Sequence, residues 1–449
     1  MRLAILGLVL TSSLFSQAVD EDYRVYSGHP RLLLTSQRLR LLKRERDRDS
    51  MRWHQFALLV RAAAQMPEPG FAWGLYFAVT GDTAFGRRAA DWALGPGADL
   101  RQLALVYDWC QPVMNAGQSK ALAAKIRQIA GQAAAASMEA RRDRVLAAIA
   151  IADDEQHGEE TVLRETIQQW WRAGLASKLE SGATVIPHDQ LYALLELMHA
   201  IRDNTKVDLR EDAPEYFREL PKFQILGNYP APLQSPENEY RIPVYKGSVE
   251  PDVDRAALAR AAGLSMVAFD NNAFENQYLQ GWLIQDRFMM QGIFGAPYEF
   301  LWANPYQPGL SYFQLPVVYH DAHTGTLFVR SNWEDEAVWF GLYEGEAQLF
   351  QDGKITVLNQ SAPAGIDPKP LAVGDATVLL GRSPMRFSVE GGTTLVVGLK
   401  ARRKYLIETD DEELRELETD RVGTLVLEYP AERMAGVRIV EAKSGSGGT

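Results

Sequence analysis

Apolar positions along this chain change their period once. From about residue 36 to 291 they recur at three- and four-residue steps, the spacing of amphipathic helices. Thr35 or Ser36 stands where an N-cap belongs, and Leu39, Leu42 and later 56–60 continue one apolar face. Residues 71–79 read as one apolar helix, Thr80-Gly81-Asp82 as a turn, and Thr83 as the start of a second helix, which together make an αα-hairpin. Segments 101–110, 116–139, 140–152, 159–176, 189–202, 254–270 and 275–291 add further helical periods. No exact repeat links them, so the pattern predicts packed antiparallel hairpins rather than a regular solenoid. The stretch 203–251, rich in Pro, Asn and Glu, reads as one long irregular connection of the kind used for lids and binding loops. After Leu315 the pattern becomes short alternating runs such as TLFVRSNW, AVWFGLY, ITVLN and TTLVVGLK, punctuated by Gly, Asp, Asn and Pro. That is the pattern of an antiparallel β-sandwich.

Between the two regimes lies 269–313, with 12 aromatic residues in 45 positions, against 10 Trp, 17 Tyr and 17 Phe in all 449. Phe274, Tyr278 and Trp282 fall at four-residue steps. Gly292, Gly295 and Pro297 then predict an end to regular structure, which Pro305, Pro308 and Gly309 prolong. We read this as an aromatic seam between domains, a common location for ligand sites, with Tyr278, Trp282 and Trp302 as candidate substrate-binding rings. Asp270, Glu275, Asp286 and Glu299 surround it. A carboxylate pair there would suit glycosidic hydrolysis, and the plainer reading is helix caps and salt bridges. The expected divisions are a signal peptide at 1–18, a leader at 19–35, a helical domain at 36–291, the seam at 292–315, a β-sandwich at 316–442 and a disordered Gly/Ser-rich tail at 443–449.

Composition changes this picture in two places. The net charge of −11 argues against general nucleic-acid binding. The amino terminus has Arg2, an apolar run at 3–10 and small residues ending Ser16-Gln17-Ala18, the three parts of an export signal; a periplasmic or secreted chain beginning near Val19 is expected. That run is too short to span a membrane, and no later stretch is long enough. Cys110 is the only cysteine and reads as a buried thiol. The basic residues Arg38, Arg40, Lys43, Arg44, Arg46 and Arg48, interleaved with acids, read as a solvated helix face.

Candidate chemistry is sparse. His188, Tyr192 and Glu196 share one face of a predicted helix opened by Pro187, and His199 continues it; a His and a Tyr one turn apart suit base and acid, or simply a capped amphipathic helix. His320-Asp321-Ala322-His323 followed by Thr324-Gly325 reads as a hairpin turn rather than a metal site. No nucleophile elbow, phosphate loop or dinucleotide fingerprint is present, and no metal or cofactor is expected.

Four stretches carry a resemblance. GHPRLLLTSQRL, FAVTGDTAFGRRAADW, LVYDW and TLFVRSNWEDEAVWFGLY are similar to segments of heparinase II/III-like polysaccharide lyases, the alginate lyase-like group included. The resemblance implies a mixed α and β multidomain chain: an N-terminal incomplete α/α toroid followed by an antiparallel β-sandwich. It implies an acidic polysaccharide or oligosaccharide as partner, and cleavage of uronic-acid glycans by β-elimination. There an Asn or His neutralises the uronate carboxylate, a Tyr or His removes the adjacent proton, and a Tyr protonates the leaving oxygen. Carried onto this chain, Gln156 and His157 stand for the family's Asn-His pair and Tyr192 for its helical-domain tyrosine; His188, one turn before Tyr192, is a catalytic candidate from its helical spacing alone. The family's β-domain His-x-Asp motif has no counterpart after Tyr343, where EGEAQLFQDGKITVLN follows. A toroid glycoside hydrolase and a non-catalytic glycan-binding relative stand as alternatives.

Overall fold

The computed structural model describes residues 23–97, 99–132, 136–152, 158–234, 239–247, 251–285, 289–360, 368–410, 413–431 and 433–442. Its first part is helical: α1 (Ser36–Asp47), α2 (Met51–Arg61), α3 (Pro69–Thr80), α4 (Thr83–Leu94), α5 (Leu100–Trp109), α6 (Ala116–Gln132) and α7 (Met138–Ala150). α8 (Glu159–Arg164) and α9 (Ser177–Glu180) flank a wider, π-helical stretch at Glu165–Ala176. α10 (His188–Thr205), α11 (Pro214–Leu226), α12 (Val253–Phe269), α13 (Phe274–Gln285) and α14 (Gly292–Trp302) follow. A two-residue hairpin, β1 (Leu233–Gln234) with β2 (Glu239–Tyr240), lies between α11 and α12.

The local chemistry explains the boundaries. Thr35 Oγ1 accepts from Arg38 N at the start of α1, and Asp82 and Asp99 cap α4 and α5 in the same way. Gly81 ends α3 at φ 76°, a conformation that costs other residues a Cβ clash. Packing then skips along the chain: α3 lies against α5, α5 against α7, α7 against α10, α10 against α12, and α12 against α14, which itself touches α2 and α3. Two of the quoted stretches meet inside this layer. Asp108 of LVYDW accepts from the backbone N–H groups of Arg31 and Leu32 and bonds the His29 ring, while Trp109 Nε1 donates to Leu32 O at 2.9 Å. The amino-terminal segment is thereby pinned to α5 by a buried carboxylate whose hydrogen-bonding capacity is used.

The second part is three stacked sheets. The first is an antiparallel meander of β3 (Val318–Asp321), β4 (Thr326–Arg330), β5 (Trp339–Tyr343), β6 (Glu346–Gln351) and β7 (Lys354–Leu358). The remaining strands are β8 (Leu371–Val373), β9 (Ala376–Leu380), β10 (Met385–Val389), β11 (Gly392–Val397), β12 (Lys404–Thr409), β13 (Glu413–Glu418), β14 (Leu425–Tyr429) and β15 (Ala435–Glu441). The middle sheet runs β14-β11-β9-β8, and the outer one β10-β15-β12-β13. Side-chain alternation assigns each face. Val378 and Leu395 of the middle sheet pack with Leu327 and Phe340 of the first; Leu379 and Val396, one residue on, pack with Ile407 and Ile439 of the outer sheet. β4 and β5 are buried at every position, because Phe328, Trp339 and Tyr343 on their other face enter the helical core. Gly341 is required there: a Cβ would stand 2.1 Å from the Trp339 ring, whose Nε1 donates to Leu226 O at 2.9 Å.

A helical region followed by packed, mainly antiparallel sheets is therefore the architecture. Four expectations are corrected in detail. The sheets form three layers rather than two, and β9 pairs with β11 in parallel. The stretch 203–251 holds α11, started by Pro214 at its first position, where the missing N–H costs nothing. The seam does not end regular structure at Gly292, since α14 runs through Gly295 and Pro297 to Trp302. Burial of Tyr298, Phe300, Leu301 and Trp302 outweighs one lost backbone bond at Pro297. The stretch 116–139 is not one helix, since α7 already begins at Met138 with Ser137 as its N-cap. Residues 1–22 and 443–449, where the signal peptide and tail were expected, lie outside the described residues.

Candidate functional site

α1, the C-terminal turns of α10 and α12, and the loop after α14 enclose a cleft of about 890 Å³, within the range of small-molecule and oligosaccharide sites. A helical face of α1 presents Arg38, Leu41 and Arg44, with Arg40 beside them. α10 contributes His199, Arg202 and Asp203, one turn being enough to bring all three to the same end. Tyr306 supplies an exposed aromatic ring above a floor that includes the buried Trp302, and Asn271, Gln280, Asn304 and Gln307 supply amides. The loop is held in place: Gln280 Nε2 donates to the carbonyls of Asn304 and Gln307, both at 3.0 Å, and Gln307 Nε2 donates to Asn271 O at 2.7 Å.

Three of the four arginines are oriented by hydrogen bonds or ring contacts. Arg38 Nη1 donates to Trp302 O at 3.0 Å, and its guanidinium stands 5.5 Å from that indole. Burial lowers Arg38 to about 10, with Asp203 opposing the shift. Arg44 lies 4.0 Å from the Tyr306 ring centre. Arg202 donates to Phe269 O and Asp203 Oδ1, and covers the Phe269 ring at 3.6 Å. Asp203 is pushed up by burial, against the pull of Arg202. Four arginines thus face one lining carboxylate, giving a strongly positive cleft in an acidic protein. His199 sits among them, 4.6 Å from Trp302 and 4.9 Å from Phe269, with Nε2 3.0 Å from Ser265 O. A carbonyl only accepts, so Nε2 carries the proton and Nδ1 the lone pair. Burial takes this imidazole down to about 3, so it is neutral.

Beneath the cleft floor lies a buried polar network. Trp302 Nε1 donates to the Tyr192 hydroxyl at 2.9 Å, and that hydroxyl donates to Glu196 Oε1 at 2.5 Å. Arg101 grips both Glu196 oxygens at 2.7 and 2.8 Å and also donates to Glu68; Arg142 adds a bond to Glu196 at 3.1 Å. Burial alone would raise Glu196, but Arg101 and Arg142 hold it below the usual carboxylate range. Burial, then Glu196, drives the Tyr192 phenol far above its ordinary value.

These positions decide what the sequence candidates can do. Tyr192 and Trp302 are brought together, but Tyr192 is 1% exposed and does not line the cleft. His188 is at the other end of α10, stacked 4.6 Å from Phe223 with both ring nitrogens unpartnered. Gln156, His157 and Asp286 lie outside the described residues. Tyr278 packs edge-on to Phe274, and Trp282 lines a small crevice beside Arg260; neither reaches the arginine cleft. Glu299 is buried between Arg260 and Arg52, and Asp270 is paired with Arg210, so both serve the fold. His320 bonds Asp420 and His323 is exposed on its turn. Among the described residues no cluster of three His, Cys, Asp or Glu side chains could hold a metal ion, and no helix is long and apolar enough to cross a membrane. The sequence reading missed the cleft itself, because the basic face of α1 looks solvated until the 303–307 loop is seen opposite it.

No protein-family model matches this chain, and no curated protein matches it. Among solved structures, one titled "Glycoside hydrolase" aligns over 93% of this chain and 76% of its own, at 9% identity and a TM-score of 0.31. A likeness at that level carries no functional argument.

Proposed function

We propose that this chain is an exported carbohydrate-active protein that binds a uronic-acid glycan in the arginine cleft and cleaves it by β-elimination. The observation that carries the reading is a neutral imidazole, His199, set among Arg38, Arg40, Arg44 and Arg202 in a cleft that also offers amides and aromatic rings. Arginines recognise carboxylates, amides recognise hydroxyls, and rings cover the apolar faces of sugars. In this reading Arg38 and Arg202 neutralise the uronate carboxylate and so acidify the neighbouring C5 proton. His199 Nδ1 accepts that proton; the electron pair forms the C4–C5 double bond as the C4–O bond breaks; the Tyr306 hydroxyl protonates the leaving oxygen. Tyr192, assigned the proton transfer by the family resemblance, instead positions Trp302. Hydrolysis by a carboxylate pair is disfavoured, since Asp203 is the only carboxylate lining the cleft among the described residues.

The skipping contacts of the helices, with α14 returning to α3, support an incomplete α/α toroid. The charged, apolar and small-residue order of residues 1–18 supports export.

The test is absorbance of the unsaturated product on a panel of uronate polymers, with His199→Gln beside the wild type. Product formation that falls about 10²-fold or more in the variant supports the assignment. Binding without product moves the chain to a glycan-binding role, and neither binding nor product removes the reading.

A further inference from the structure

At the opposite end of α10, where α11 and the α9–α10 turn meet the first sheet, lies a second cavity of about 280 Å³. Its walls come from both parts of the chain. Val185, Ile186, Leu220 and Phe223 form an apolar floor, while Tyr216 and Tyr319 stand as aromatic walls. Glu180, Glu215, Glu219 and Asp321 give the rim four carboxylates, and no Lys or Arg lines it. Arg218 and Lys222 pair with Glu215 and Glu219 from the same helix without lining the cavity. Arg421 donates to Gly182 O, fastening the α9–α10 turn to the sheets.

Most of the rim acids have local work. Asp321 accepts from His323 N and Thr324 Oγ1 in its turn, and Glu180 accepts from Glu215 N. The Tyr319 side chain differs. It is 8% exposed and its hydroxyl has no hydrogen-bond partner among the described residues, although it lines the cavity. Its oxygen is not sealed off in the core, so a ligand in the cavity can reach it. Burial raises this phenol, and Asp321, Glu219 and Tyr216 add to the shift, so it stays protonated with acidic neighbours close by.

We propose that this cavity binds an organic cation, a primary alkylammonium group with a short apolar body. The floor buries the alkyl chain. The faces of Tyr216 and Tyr319 and the rim carboxylates attract the charge. The Tyr319 hydroxyl accepts one ammonium N–H, since an ammonium only donates. Glu215 and Glu219 are shared with Arg218 and Lys222, so the preference for a cation rests mainly on Glu180 and Asp321, which would repel a carboxylate ligand. The site is independent of the arginine cleft, which selects the opposite charge.

The experiment is calorimetric titration of the full chain with n-pentylammonium chloride and, separately, n-pentanol at low ionic strength. Saturable binding of the amine, at least about tenfold tighter than the alcohol, is expected. Glu219→Gln, on the exposed side of α11, should weaken the amine about threefold to tenfold, and Tyr319→Phe about threefold, with helix and strand circular dichroism unchanged. Equal affinity for amine and alcohol, absence of saturation with the amine, or an unchanged affinity in folded Glu219→Gln would each overturn the proposal.

Discussion

Trp302 Nε1 donates to the Tyr192 hydroxyl across 2.9 Å, which ties the floor of the arginine cleft to the charged network at the centre of the helical region. The same hydroxyl donates to Glu196, so the buried Tyr192 is both acceptor and donor. Tyr192→Phe leaves a buried indole N–H and a carboxylate lone pair unsatisfied. The expected cost is about 1–3 kcal/mol in urea unfolding, with a severalfold loss of glycan affinity as Trp302 loosens. A loss of turnover of about 10²-fold or more at unchanged stability would instead return Tyr192 to proton transfer.

Arg44 tests the charge of the cleft with little structural interference, because it rests on Tyr306 rather than on a buried carbonyl. Arg44→Ala should weaken a tetra-uronate about tenfold and change unfolding free energy by no more than about 0.5 kcal/mol. Raising ionic strength should weaken the wild type more than the variant, since one screened attraction is already gone. Identical salt slopes for the two proteins would place the ligand elsewhere.

Gly281 and Gly309 let α13 and the cleft loop touch backbone to backbone. A Cβ on Gly281 would stand 1.8 Å from Leu310 O, and one on Gly309 2.1 Å from Gly281 N. Gly281→Ala must push the loop outward, breaking the two bonds from Gln280 that hold Asn304 and Gln307. Glycan affinity should drop by more than the accompanying loss of melting temperature accounts for. Proteolysis of the loop should quicken, and an unchanged cleavage rate would show that the loop can yield without opening.

Much of the fold was legible because it rests on periodicity. The helices from α3 to α5, and α10, α12 and α13, follow apolar spacing closely, and the change to period two marks where the sheets begin. α14 was not legible, because Gly292, Gly295 and Pro297 break local propensity and only the burial of Tyr298 to Trp302 restores the helix. The third β layer was hidden for a related reason: a strand buried on both faces, such as β11, shows an apolar run that does not say how many sheets cover it. The site was least legible. Tyr192 has the spacing of a catalytic residue, but spacing along a helix does not tell a cleft wall from a buried ion-pair network. Arg38, Arg40 and Arg44 had the composition of a solvated face, and what makes them a site is a loop more than 250 residues away in sequence.

His188 and His199 give the stability a definite pH dependence. Both imidazoles are buried and lowered to about 3 by desolvation, so both are neutral in the fold. In the unfolded chain each titrates near its ordinary value of about 6.5. Below that pH the unfolded state takes up two protons that the native state refuses. Their contribution is therefore fully present above about 6.5 and is lost as pH falls toward 3, by up to about 1.4 kcal/mol per pH unit for each group. By pH 5 this amounts to about 2 kcal/mol per histidine, before the arginine-paired carboxylates Glu196 and Glu299, both held low, begin to protonate. His188 separates the two effects, since its ring nitrogens make no hydrogen bond of good geometry and Gln224 is the polar neighbour that a substitution would disturb. His188→Leu keeps an apolar group against Phe223 and should roughly halve the slope of unfolding free energy between pH 6.5 and 5. It should lie closer to the wild type at pH 7 than its advantage at pH 5 would suggest. Urea unfolding at pH 7, 6 and 5 on both proteins measures this, and parallel curves would mean that His188 is already protonated, or solvated, in the fold.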